Sequence, residues 1–475
     1  RWGGTRGHHS DGLSGHTRAE QQRNNAGDHG GSADRPAIRV HGHAQTLEHS
    51  TVSWFEFSTG RTERCSARCS RLGTMTVPGS WQRLARGAGL LDARGEPMLT
   101  IFAEMSALAA STGAINLGQG FPDEDGPQAV LDAARRAIAD GHNQYPPGIG
   151  VPVLREAITT HQEHWYGIRL DPDTQVLVTA GATEAIAATL LALTEADDEI
   201  VVVEPYYDEY AAIAALANTR LVTVPAHAPD FLPDLEDLAA AVTDRTRIIL
   251  INSPHNPTGA VLPRETLERI VELAHEHNAI IVTDEVYEHL VYDGQHVPIA
   301  SLPGAFERTL TISSGGKTFS ATGWKVGWIS GPAELIRAVL AVKQFLTYVN
   351  AGPFQHAIAV GLGLPDVVFD EAAASLARKR DLLMGGLSDA GFEVYRPSAG
   401  YFVIADAAEL GVRDAAALAR TLPELVGVVG VPVSALASQE RQADYASLMR
   451  FAFCKRVDVL ERAAAQLSGL KLPAS

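Results

Sequence analysis

The stretch "QVLVTAGATEAIAATLLALTEADDEIVVVEPYYDEYAAIAALAN", residues 175–218, decides the architecture. "VLVT" and "IVVVE" are short apolar runs rich in β-branched residues, which read as buried strands. Each is followed by a longer alanine-rich segment of helical length. Strand, helix, strand and helix in turn predict parallel strands joined by helical crossovers. The pattern carries downstream. "TRLVTVP" (219–225), "TRIILINSP" (246–254), "AIIVTDEVY" (279–287) and "TLTISSGGK" (309–317) are further strands. The helices "DLEDLAAAVT" (234–243), "PRETLERIVELAHEHN" (263–278) and "AELIRAVLAVKQF" (333–345) lie among and after them. Upstream, "LTIFAEMSALAAST" (99–112), "PQAVLDAARRAIAD" (127–140) and "VPVLREAITTHQEHWYG" (151–167) read as helices. The expected fold class is α/β, a mainly parallel sheet with helices on both faces. From about residue 364, helices and short strands such as "GYFVIAD" (400–406) and "LMRFAFCK" (448–455) predict a smaller α+β domain.

Composition narrows the function classes. The 475 residues carry a formal net charge of −17, which argues against non-specific nucleic-acid binding and against an anionic membrane surface. No apolar run reaches the ~18 residues of a membrane span. Cys65, Cys69 and Cys454 have neither zinc spacing nor the number for a disulfide framework, so a reducing cytosol is the default location. Residues 1–74 differ from the rest: ten Arg, seven acidic residues, seven of the seventeen His and no lysine. Their Gly-, Asn- and Ser-rich text cannot bury enough surface to order itself, and we expect residues 1–94 to be a disordered or poorly ordered extension. The "HGH" at 41–43 reads as part of a solvated tail rather than a metal tract. Met75 is a candidate start, with the upstream stretch then translated non-coding sequence.

Ligands of open α/β sheets gather at the carboxyl ends of the strands. Gly181, Tyr207, Asn256, Asp284 and Lys317 each follow a predicted strand. Lys317 lies in "SSGGKTFSATGWKVGW" (313–328), which holds two of only six lysines in a chain with thirty-three arginines. A lysine there serves as a surface charge, a phosphate contact or a nucleophilic amine. Only the last role is closed to arginine, which forms no imine. Asp284 reads either as a helix cap or as a buried carboxylate partner for a cationic ring nitrogen. A Schiff-base lysine with such a carboxylate is the minimal equipment for pyridoxal 5'-phosphate (PLP). "GATEA" (181–185) opens a helix after a strand, a place that favours a phosphate, although Thr183 there also suits ordinary capping.

These blocks, with "NLGQGFPDEDGP", "NQYPPG", "EPYYDEY", "NSPHNPTG", "TDEVYEHLVYDG" and "RFAFCK", resemble the class I/II PLP-dependent aminotransferases of fold type I. The likeness covers roughly residues 98–470 and is closest to the branch of N-succinyldiaminopimelate and kynurenine/glutamine aminotransferases. It implies a seven-stranded large domain at 128–363 and a small domain from 95–127 and 364–475. It implies that Lys317 is the catalytic lysine bound to the cofactor and that Asp284 pairs with the ring nitrogen. Asn256 and Tyr287 would bond the ring oxygen, and Tyr207 would stack on the ring. Ala182, Thr183, Ser314 and Lys325 would hold the phosphate. Relatives often carry Arg at the Lys325 position. Tyr145 would reach the phosphate from the other subunit of a homodimer with shared active sites. Arg450 would clamp the substrate carboxylate, with Gly120, Asn256 and Phe102 beside it. No metal is implied.

The implied activity is ping-pong transfer of an amino group between an L-amino acid and a 2-oxo acid. The best reading of substrate is N-succinyl-L,L-diaminopimelate with 2-oxoglutarate. A kynurenine-, glutamine- or methionine-type transaminase and a cysteine-S-conjugate β-lyase use the same machinery. An aminotransferase-like regulator would need a DNA-binding head, and residues 1–74 lack a helix-turn-helix pattern. For distal carboxylates of the substrate, Arg155, Arg396 and Lys343 are the candidate contacts.

Overall fold

The computed structural model describes residues 77–472. The expectations for the tail, for Cys65 and Cys69 and for "HGH" lie outside these residues. Seven strands form the main sheet: β1 (Val176–Thr179), β2 (Glu199–Glu204), β3 (Arg220–Pro225), β4 (Thr246–Asn252), β5 (Ile280–Asp284), β6 (Thr309–Ser314) and β7 (Gly327–Ser330). Their spatial order is β1-β7-β6-β5-β4-β2-β3. Only β7 runs antiparallel to its neighbours β1 and β6. The remaining pairings are parallel, as strands linked by helices require.

The valines and isoleucines of these strands face helices on both sides. Leu177, Ile200, Leu250 and Ile312 pack on one face with Ala185, Leu190 and Tyr210. Val201, Ile249, Ile251 and Ile281 pack on the other with Leu267, Ile270 and Leu273. Burial on both faces explains why the strand text is continuously apolar rather than alternating. A second, antiparallel sheet is built from Glu393–Tyr395, Phe402–Asp406, Val431–Pro432 and Leu448–Ala452. Among the described residues no helix is long and apolar enough to cross a membrane.

Three elements depart from the sequence reading. Ser80–Gly87 is a helix packed on Glu209–Leu216, so the poorly ordered extension expected through residue 94 does not hold for this part. Gly87 touches the partner helix so closely that a Cβ there would lie 2.3 Å from Ala215 Cβ. Strand β7 is too short and too glycine-rich to signal itself. Helix Gly352–Leu362 opens with Gly-Pro and holds Gly361, which masks its period.

Where β7 crosses the start of helix Gly181–Leu193, backbones meet directly. A Cβ on Gly327 would lie 2.6 Å from the Gly181 carbonyl carbon and 2.8 Å from Ala182 N, backbone atoms that cannot swing away. Gly327→Ala should therefore lower the denaturant midpoint by the equivalent of about 1–3 kcal/mol. Gly323→Ala, with nothing within 4 Å of the added carbon, should leave it unchanged. Equal midpoints for the two variants would refute this reading of the contact.

Candidate active site

The carboxyl ends of β1, β2, β4, β5 and β6 open into one cavity of about 260 Å3. Lys317, Asp284, Asn256, Tyr287, Tyr207, Ser314, Lys325, Ala182 and Thr183 all line it. Asp284 and Ser314 end strands β5 and β6, Lys325 lies just before β7 and the others follow their strands, which is why residues as far apart in sequence as Ala182 and Lys325 meet.

Asp284 ends β5 and is 5% exposed. The Tyr210 hydroxyl donates to its Oδ2 at 2.8 Å, while Val286 N reaches Oδ1 only at 3.4 Å. Burial raises its pKa to about 6, against the hydrogen bond from Tyr210, which favours the ionised form. Lys317 Nζ lies 3.4 Å from Gly120 O and sits over the Tyr287 and Tyr401 rings at 5.7 and 5.6 Å. Burial pushes its pKa down, and the Arg450 and Lys325 cations add to this against the pull of Cys454 and Asp284. A lysine so placed holds its neutral form more readily than one in water.

Opposite Lys317, Lys325 Nζ donates to Thr183 Oγ1 at 2.9 Å. Gly181 (φ 74°) and Lys325 (φ 53°) both adopt the left-handed conformation that turns these segments inward. Ser314 caps Gly315–Thr318, its Oγ accepting from Gly316 N at 3.1 Å. Two backbone segments, one hydroxyl pair and one cation thus converge at a helix N-terminus, a donor set suited to an anion. Tyr207 stands edge-on to Tyr210, ring centroids 5.8 Å apart.

Arg450 is 2% exposed, and burial brings its pKa down to about 10, so it stays cationic at neutral pH. It donates to Asn256 Oδ1 at 3.0 Å and to Gly118 O at 2.9 Å, while among the described residues its buried Nε has no partner. The guanidinium lies over the Phe402 ring at 3.9 Å and near the Phe102 ring at 5.1 Å. Gly120 backs onto the same wall, since a Cβ there would meet Phe402 Cζ at 2.2 Å.

Four expected residues fall elsewhere. Tyr145 is 82% exposed and packs edge-on against Tyr348, away from this chain's cavity. The three candidate contacts for distal carboxylates are engaged elsewhere, and none lines the cavity. Arg155 bonds Gly150 O, Pro172 O and Asp173. Arg396 pairs with Asp293 and Asp381, and Lys343 bonds Gly148 O and Tyr348 O. Sequence reasoning passed over Tyr210 and Asn252. Asn252 holds Asp284 O at 2.7 Å and accepts from Asn256 N at 2.7 Å. Tyr210 lies in the first turn of helix Glu209–Leu216, three residues past Tyr207, which precedes that helix.

A helix end suited to an anion, a carboxylate and an amine in one cavity at the carboxyl ends of a doubly wound sheet are what a PLP-dependent transferase requires. The aminotransferase class I and II family model matches residues 112–467, and the chain belongs to that family. It is 50% identical over 381 residues to the probable N-succinyldiaminopimelate aminotransferase DapC of Mycobacterium tuberculosis, covering 78% of this chain and 96% of that one. It is 35% identical over 372 residues to the methionine aminotransferase of Escherichia coli, covering 78% and 96%. The solved structure of the Mycobacterium tuberculosis N-succinyldiaminopimelate aminotransferase superposes with a TM-score of 0.78 at 48% identity, covering 83% and 99%. The enzyme is a PLP-dependent aminotransferase of fold type I. The cavity fits that cofactor: it offers an amine, a carboxylate with one weakly engaged oxygen and an anion grip.

Keeping Asp284 in a dry site has a cost that pH reveals. Its folded pKa of about 6 exceeds the ordinary 3.8, so the folded chain binds the extra proton between these values. Stability of the cofactor-free protein should be full below about 4 and fall as pH rises through about 6, by up to about 3 kcal/mol. Asp284→Asn should remove most of that fall. Parallel urea-unfolding profiles for the two proteins across this window would contradict it.

Proposed function

We propose that this enzyme transfers the amino group between N-succinyl-L,L-diaminopimelate and 2-oxoglutarate. The observation that carries the substrate is the 50% identity, over 96% of its length, to a relative named for that amino compound. When bound, PLP supplies the electron sink that stabilises negative charge at the substrate Cα.

The residue roles are part of the proposal. Lys317 would hold the cofactor through Nζ, and once the incoming amine frees it, Nζ would take the Cα proton and later give it back, acting as base and then as acid. Its depressed pKa supports that work, because only the neutral amine accepts a proton. Asp284, ionised against a ring cation, keeps the ring nitrogen protonated. Asn256 and Tyr287 bond the ring oxygen, and Tyr207 covers a ring face. Lys325, Ser314 and the amides of Ala182 and Thr183 would hold the phosphate. Arg450 gives up its contacts to Asn256 and Gly118 to grip the substrate carboxylate through both nitrogens, with Gly120 and Phe102 at its side. The site lies between a large lobe, 128–363, and a small lobe, 95–127 with 364–475.

A homodimer with shared sites belongs to the same proposal, and so does a cytosolic location. Tyr145 and Phe345, 82% and 84% exposed, support a covered face from which Tyr145 enters the partner's site. A chain that sediments as a monomer at micromolar concentration would contradict it. A second reading has one observation in its favour. The aromatic walls of Phe102 and Phe402 beside Arg450 also suit a methionine- or kynurenine-like side chain.

A screen of amino donors against 2-oxoglutarate separates the readings, with N-succinyl-L,L-diaminopimelate expected to have the highest kcat/KM. Pyruvate and ammonia released from a cysteine S-conjugate without an acceptor would mark β-elimination instead. Lys317→Arg should be inactive, while Lys325→Arg should keep activity with a modest loss. Arg450→Gln should lower kcat/KM by about 10²–10³-fold for every amino acid donor. Near-normal turnover in Lys317→Arg would sink the assignment of the amine.

A further inference from the structure

Glu209 opens helix Glu209–Leu216 and lines the same cavity as Lys317 and Asp284. It is 9% exposed, and among the described residues neither of its carboxylate oxygens has a hydrogen-bond partner. A dry, ionised carboxylate without a donor is strongly disfavoured. The groups facing it are Asp284, Lys325 and Asp208, two acids and the cation already bonded to Thr183. Among the described residues no other cation acts on it. Arg83 bonds Ala215 O and Leu216 O at the far end, and Arg86 lines a separate groove with Tyr206. Glu184 is held by Ala180 N and Thr347, and Arg220 pairs with Glu199. The helix N-terminus favours the anion by only ~1 kcal/mol. Burial outweighs it and pushes the carboxyl pKa up to about 9.

We propose that Glu209 is a further cofactor-binding residue, standing in the pocket as a neutral carboxylic acid and donating its O–H to the phosphate that Lys325 attracts. This rests on the cofactor pocket described above. A phosphate at neutral pH carries nearly two negative charges and would be repelled by an ionised Glu209. A neutral acid supplies instead a donor to an anionic oxygen, the stronger kind of hydrogen bond. It also leaves Lys325 free for the phosphate rather than shared with a competing carboxylate.

The test is binding of pyridoxine 5'-phosphate to the cofactor-free full chain by titration calorimetry across pH. This probe has the ring and phosphate but no aldehyde to react with Lys317. Glu209→Gln keeps a neutral donor and should bind within about threefold of wild type near neutrality, whereas Glu209→Ala should lose about tenfold. As pH rises through about 9, the wild-type affinity should fall more steeply than that of Glu209→Gln, since only the former gains a charge. With pyridoxine, which lacks the phosphate, the three proteins should coincide. Identical pH profiles for wild type and Glu209→Gln, or equal losses with pyridoxine, overturn the role of Glu209. No binding of the phosphorylated probe to wild type overturns the cofactor pocket itself.

Discussion

Asp284 and Lys317 share one dry cavity, and the rest of the site is arranged around keeping an acid and an amine there together. Burial disfavours the charged form of both, raising the pKa of one and lowering that of the other. Among the described residues neither is neutralised by a direct ion pair. Tyr210 holds the carboxylate from one side, and two tyrosine rings and a carbonyl surround the amine. Such a pair is a poor choice for stability and a good one for chemistry. The sheet supports it because β5, which ends at Asp284, and β6, which leads into the helix carrying Lys317, are adjacent and parallel.

In the proposed mechanism the two lysines of residues 313–328 divide the work by chemistry rather than position. Lys317 needs an amine that can lose its proton, which a guanidinium does not do in proteins. Lys325 needs only a positive charge at a helix N-terminus, and its left-handed backbone points it at Thr183. Close backbone contact between Gly327 and Gly181 joins the two halves of that grip. Glu209 lines the same cavity, and the role proposed for it depends on its staying uncharged.

Much of this was legible in the sequence. Lys317, Asp284, Asn256 and Tyr207 could be placed because β-branched runs mark strand ends, and open α/β sheets use those ends. Lys325 and Arg450 were reachable through family resemblance, since their partners Thr183 and Gly118 lie far away in sequence. Helix Gly352–Leu362 and strand β7 stayed hidden because glycine and proline blur short periodic patterns. Helix Ser80–Gly87 was submerged in a tail of unlike composition. The unpaired state of Glu209 could not be read at all, because absence of a partner is a property of packing. The freedom assumed for Arg155, Arg396 and Lys343 failed for the same reason: backbone carbonyls and acids had already taken them.

The central claim is that Lys317, and not Lys325, carries the cofactor. Reduction of the PLP-loaded enzyme with borohydride fixes the cofactor to whichever lysine holds it, and peptide mass mapping reads the position. The account predicts a phosphopyridoxyl group on Lys317 and an unmodified Lys325. A label on Lys325, or a loaded enzyme with no labelled lysine, would contradict it.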